Sequence, residues 1–418
     1  MIIQPILSAP ALFAALLAGH SVRVYAQTSE APACEDSQRQ NGIKIGAFRL
    51  LPELEANVSH DGNIYSSSSR STADTIFRVT PRATLSSNTS RYRFNLSGGA
   101  TVFHYARSSG ENREDWNAAA QIQFEPLRQN FVGFRYLRAR AHESRGDPNA
   151  LATTTAPVPF DTAQGEITLV RDVGKLRADI ALVRTDLGFD NALTLGGDTL
   201  NNKDRDRRQD RGSLRLRYKF SPGYSVFVSY LKDRIDYRLD LDDTGINRDS
   251  SGMRLTGGIY LSLTNLIDGE VFAGLQQRSY RDARLADYKS PVYGAALVWS
   301  ANERTKVRLS GDRRLEETVF AGSKQYQLTT VELGVDRKFP SALSASVVLR
   351  YGENRYLAFD NSTSTASLDR NFGADLAVRK SIDRYVLGLT YTYSTRRTQR
   401  FAGQFGRNVV ELSLATRF

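Results

Sequence analysis

The chain has 418 residues, of which 40% are hydrophobic, and a mean hydropathy of -0.40, so it is too polar for a bundle of membrane helices. Past the N-terminus it offers no run of about 18 apolar residues, the least that a spanning helix needs. The formal charge of +11 comes mostly from arginines spread along the whole length, with no basic block or basic helix, which argues against nucleic acid as a partner.

Residues 1–26 read as an export signal. Leu7 to Gly19 form an apolar core rich in Ala and Leu, and Val24-Tyr25-Ala26 suits cleavage after Ala26. One feature departs from the usual pattern: no Lys or Arg precedes the core. Residues 27–43 are polar and aperiodic, and read as a flexible periplasmic leader. They hold the one cysteine, Cys34, so an internal disulfide is excluded. The residues before it, Ala31-Pro32-Ala33, lie outside the apolar run and lack the leucine expected of a lipidation site.

Residues 44–418 alternate with period 2 nearly throughout. Leu214, Leu216, Tyr218 and Phe220 alternate with Arg215, Arg217 and Lys219. Tyr385, Leu387, Leu389, Tyr391 and Tyr393 alternate with smaller residues in the same way. An extended chain turns successive side chains to opposite faces, so each segment carries one apolar and one polar face. Eight tight connections, among them Ser87–Ser90, Pro222–Gly223 and Ile382–Asp383, alternate with nine longer polar ones, among them 61–73, 144–161 and 190–207. About eighteen strands follow. Short turns on one side and long loops on the other predict an all-β fold: a transmembrane antiparallel up-and-down β-barrel with short periplasmic turns and long extracellular loops. A soluble propeller has no reason to keep that order. Pro52 and Pro81 fall within strands and are expected near the periplasmic rim. Arg138 and Arg184 fall on the outer face, towards the extracellular ends, where a charge costs little.

The last segment puts Val410, Leu412, Leu414, Thr416 and Phe418 on one face. Leu412, Leu414 and Phe418 resemble the terminal signal that outer-membrane barrels present to their assembly machinery. That machinery, together with outer-membrane lipid and lipopolysaccharide, is an expected partner, and the expected place is the outer membrane of a Gram-negative cell.

Several runs resemble a known family. They are Ile45-Gly46-Ala47-Phe48, Pro52-Glu53-Leu54, His60-Asp61-Gly62-Asn63-Ile64-Tyr65 and Asp74-Thr75-Ile76-Phe77 with Thr80-Pro81. Further on come Arg140 to Pro148, Asp204 to Arg211 leading into Phe220-Ser221-Pro222-Gly223-Tyr224, and Leu315-Glu316-Glu317-Thr318. In this order they resemble the putative β-barrel porin 2 family from about residue 42 to 418; Gly62 stands where the family typically shows a second Asp. The resemblance implies a barrel linked with exopolysaccharide or capsule production, with polysaccharide or its export apparatus as a partner and no established catalytic residues.

Alternation turns Arg91, Arg93, Arg135, Arg177, Arg215, Arg217, Arg254, Arg308, Arg350 and Arg379 inward, together with Asp312, Glu332 and Asp375. Facing rows of fixed charge tune ion selectivity, and an excess of guanidinium favours anions and carboxylated sugars. The competing interpretation is a salt-bridged wall that only stiffens the barrel. Aromatics such as Trp116, Phe134, Tyr230 and Trp299 suit interfacial girdles. His60, His104 and His142 fall near the extracellular ends, but Ser59 and Asp61 flank His60 on opposite faces and cannot join it in a triad; no G-x-S-x-G or H-E-x-x-H occurs. Asp240, Asp242, Asp243, Asn247 and Asp249 cluster in a loop but lack the closing Glu of a calcium loop. The expected function is therefore an outer-membrane channel, passive, with an Arg-rich lumen for anionic solutes or acidic polysaccharide, without enzyme activity, cofactor or metal. The alternative is a non-conducting barrel that anchors a surface-polysaccharide or envelope complex.

Overall fold

The computed structural model describes residues 42–89, 91–150, 154–263, 266–318, 323–358, 365–398 and 403–417. The expected signal at 1–26, Cys34 and Phe418 lie outside the described residues, as does the leader up to residue 41.

Eighteen long strands follow in chain order. β1 is Phe48–Asp61, β2 Asp74–Asn88, β3 Tyr92–Tyr105, β4 Arg113–Leu127, β5 Asn130–His142 and β6 Pro159–Val173. β7 is Leu176–Phe189, β8 Arg207–Ser221, β9 Tyr224–Tyr237, β10 Ser250–Leu263, β11 Ile267–Tyr280 and β12 Tyr288–Asn302. β13 is Thr305–Glu317, β14 Ser323–Phe339, β15 Leu343–Ala358, β16 Thr365–Ile382, β17 Tyr385–Thr398 and β18 Phe405–Arg417. Every strand pairs antiparallel with its chain neighbours, and β18 returns to β1 from Glu53↔Arg417 to Asp61↔Val409. The ladder closes and leaves no edge, as a sheet in hydrocarbon requires. The expected strand number and the asymmetry of turns and loops are borne out. A short strand, Ile43–Ile45, folds back on Phe48–Leu50, so extended pairing starts within the end of the segment expected to be a flexible leader.

Local chemistry sets the turns. Gly223 takes a φ of +78, and a Cβ there would meet the Ser262 carbonyl oxygen at 2.6 Å, so the β8–β9 turn needs glycine. Pro52 lies near the short-turn end of β1, opposite Ala83, whereas Pro81, opposite Leu54, is the middle residue of the fifteen of β2 and so sits at mid-strand, not at the rim expected for it. The β2–β3 ladder skips Thr80 and Pro81 between Val79↔Val102 and Arg82↔Gly99, which is where proline has no N–H to give.

Large apolar side chains line the outside. Leu412 is 61% exposed, and Leu414, Leu214, Leu216, Tyr218 and Phe220 are also exposed. So much contiguous apolar surface is stable only against lipid. The buried apolar residues gather inside, near the long-loop end, as Ile64, Ile76, Phe103 and Tyr105 and as Ala141, Phe160, Leu187 and Phe189.

Candidate functional site

The inward faces of the barrel form two unlike walls. On β5 to β11 the inward row of β8 supplies Arg211, Arg215 and Arg217. Arg215 is 2% exposed: its guanidinium lies 3.6 Å above the Phe227 ring of β9 and pairs with Glu270 of β11 at 2.5 Å. Gly258 on β10 makes room for this, since a Cβ there would meet Phe227 at 2.5 Å. Arg217 stacks on Tyr260 at 4.4 Å, and its register partner on β7 is another cation, Arg177, which is held by Asp179 at 2.9 Å. Arg254 donates to Gln276 at 3.2 Å. Arg135 faces Glu166 in register. Arg135, Arg211, Arg215 and Arg254 converge on one cavity, floored by Phe227 and Phe272. Arg135, Arg211 and Arg217 have no carboxylate within ion-pair distance among the described residues, so this wall carries a surplus of positive charge.

On the wall from β13 to β16 the inward arginines other than Arg379 are held by carboxylates. Arg314 binds Asp312 at 2.7 Å and Glu316 at 2.6 Å, Arg308 binds Asp336, and Arg350 binds Glu332 at 3.1 Å and Asp375 at 2.6 Å. Arg379 points inward from β16 nearer the short-turn end. A charged wall facing a largely compensated one sets a transverse field across the lumen. Two expected lumen residues sit elsewhere along the barrel axis. Arg93 is inward but at the short-turn rim, 6.0 Å from the Phe131 ring. Arg91 is a correction: it lies exposed in the turn before β3 starts at Tyr92, and its carbonyl accepts from Glu125 N–H at 2.9 Å. Arg91 stands one residue outside the strand, where side chains no longer alternate.

The long-loop end is crossed by the connection after β5, described at 143–150 and 154–158. It leaves the rim between β5 and β6 and reaches β13 and β17 across the mouth. Arg145 pairs with Glu111 at 2.5 Å and donates to the Thr154 carbonyl at 2.9 Å. The Gly146 carbonyl accepts from Arg396 of β17. Asn149 donates to the Glu317 carbonyl at 3.4 Å and accepts from Thr318 Oγ1 at 3.3 Å. Glu143 pairs with Arg205 of the next long loop. Burial pushes the Asp147 carboxyl above its ordinary range, against the pull of the Asn149 N–H at 2.8 Å and of Arg396. Burial also raises Glu143, with Arg205 opposing. This strap, together with Arg211, Phe227 and Arg314, was beyond sequence reasoning; the only signal was the Arg140 to Pro148 run.

The remaining candidates separate. Leu412 and Leu414 stand on the outer face of β18. His60 faces out from β1 while Asp61 faces in and holds Arg407 at 2.5 Å, which confirms that the two cannot cooperate. His142 Nδ1 lies 2.7 Å from Asp115. In the acidic loop, Asp242 is taken up by Thr244 and Arg248, the latter at 2.6 Å, and no cluster of three metal-binding side chains occurs among the described residues.

A search of curated proteins finds no match. Among solved structures, the chain is similar to the siderophore receptor PirA of Acinetobacter baumannii, at 9% identity over 88% of this chain and 80% of that one, with a TM-score of 0.49. It is also similar to Acinetobacter baumannii OccAB2 (11% identity, 89% and 98% covered, TM-score 0.47) and to Pseudomonas aeruginosa OpdO (13%, 89% and 97%, TM-score 0.44). At such identity the likeness is one of fold and brings no ligand with it. The family model described as "Putative beta-barrel porin 2" matches residues 36–418, nearly the whole length, and the chain belongs to that family.

Proposed function

We propose that this protein is a passive channel of the Gram-negative outer membrane, selective for anionic solutes and suited to carboxylated sugars or acidic polysaccharide. The observation that carries this reading is the unbalanced guanidinium wall on β5 to β11, facing a wall on which Arg308, Arg314 and Arg350 are held by carboxylates. Barrels of 16–18 strands commonly keep an aqueous lumen. Guanidinium binds carboxylate in a planar fork, and Phe227 and Phe272 give the cavity an apolar floor on which a sugar ring can rest. No catalytic residue is assigned, in keeping with the porin family.

The strap after β5 favours a second reading, a closed barrel that scaffolds an envelope or surface-polysaccharide complex. Planar-bilayer recording separates the two. Purified, folded protein should pass current, prefer chloride over potassium, and show block by an oligouronate. Absence of any current would reject the channel and leave the scaffold.

A further inference from the structure

Charge on the lipid-facing side is confined to sectors. The outward positions of β1, β2, β3, β10, β11 and β18 hold no Lys, Arg, Asp or Glu among the described residues. On β5 to β9 they hold six cations and four carboxylates near the long-loop end. These are in register. One row runs Arg138, Ala163, Asp186, Arg208, Asp236; the next runs Tyr136, Gly165, Arg184, Asp210, Arg234. Sign alternates between neighbours, and Arg184–Asp210 closes at 2.6 Å, Arg208–Asp186 at 3.0 Å and Arg140–Asp161 at 2.7 Å. Two exposed cations, Arg138 and Lys232, have no hydrogen-bond or ion-pair partner among the described residues.

The height of this lattice is fixed by the strands. Phe220, at the short-turn end of β8, and Asp210 lie on the same outer face. At about 3.3 Å per residue and a tilt of about 40°, their separation is about 25 Å along the axis, the height of the apolar band of an outer-membrane barrel. The charges therefore stand where lipid tails give way to headgroups. Below Arg138 the surface is furrowed: Ala163 and Gly165 leave β6 nearly bare, and a Cβ at Gly165 would meet nothing within 4 Å.

We propose that this sector binds phosphorylated glycolipid of the surrounding outer leaflet. The phosphate of one lipid docks on Arg138, with an acyl chain in the furrow of Ala163 and Gly165, and that of a second docks on Lys232, four strands away; these are the two cations that the lattice leaves over. The alternating pairs around them neutralise one another and hold the sector's surplus at those two positions. This rests on the outer-membrane reading but not on conduction.

The test is native mass spectrometry of the folded, full-length barrel with lipid A as the probe, against the same lipid stripped of its phosphates. The wild type should retain lipid A in preference. The variant R138Q/K232Q should lose about tenfold or more of that retention. K289Q/R337Q, which removes the same charge elsewhere on the outer face, should retain it. Equal retention of the dephosphorylated lipid, unchanged retention by R138Q/K232Q, or a lipid-free dimer that this variant dissolves would overturn the proposal. Should the variant not fold, the competition between the two lipids on the wild type decides alone. Current recorded from the same preparation tells a failed lipid site from a failed channel.

Discussion

Arg215 and Glu270 meet at 2.5 Å although two strands, β9 and β10, lie between theirs. The guanidinium reaches across the Phe227 ring, and both side chains are nearly withdrawn from water. Removing one partner of such a pair strands a buried charge, which costs about 3 kcal/mol or more, whereas replacing both by apolar residues of similar volume costs little. Glu270→Gln should therefore lower the urea midpoint of the barrel in lipid vesicles more than Arg215→Met with Glu270→Leu does. Equal midpoints for the two variants would show that the pair is not coupled.

Selectivity should follow the unpaired cations. Arg211→Glu with Arg217→Glu should move the reversal potential under a salt gradient towards cation preference. Arg350→Gln, which removes a cation already held by Glu332 and Asp375, should move it less. If both shifts are alike, the asymmetry of the walls does not govern permeation.

The strap after β5 is tied to the far wall at Gly146 by Arg396. Arg396→Ala takes away the donor to the Gly146 carbonyl. Single-channel conductance should rise and become noisier, and deleting 144–157 should exceed that rise. A conductance indifferent to both changes would mean that the strap does not narrow the path.

Acidity should seat the strap more firmly. The Asp147 carboxyl, ordinarily at 3.8, is raised in the folded state because it is buried. A raised carboxyl is stabilising when protonated, so its contribution is complete below the unfolded value and fades as pH climbs through the higher folded one. Conductance should accordingly grow as pH rises from about 4, where the free carboxyl titrates. Asp147→Asn should flatten that profile; a profile that the substitution leaves untouched would rule out Asp147 as its origin.

Much of the barrel could be read in advance because each strand declares its own faces. Leu214 and Arg215 settle which way β8 is turned without reference to any neighbour, and Pro222-Gly223 ends it. Arg135, Arg177, Arg254 and Arg350 were placed inward on the same ground. Pairing could not be read so. Nothing local to Arg215 says that its partner stands three strands away, or that Gly258 lets a ring lie between them. Arg91 shows the reverse limit, since alternation ceases where the strand does. Arg138 and Arg184 looked like isolated rim charges because the lattice to which they belong exists only once β5 to β9 are in register.

The seam between β1 and β18 joins residues such as Ser59 and Glu411, placed at opposite ends of the chain. The ring cannot close before its last strand is present, whatever the order of the hairpins before it. A truncated chain would hold two raw flanks of unsatisfied amides, sticky to one another and to any stray strand. A chain cut short within its last hairpin should therefore be as harmful as one cut short early.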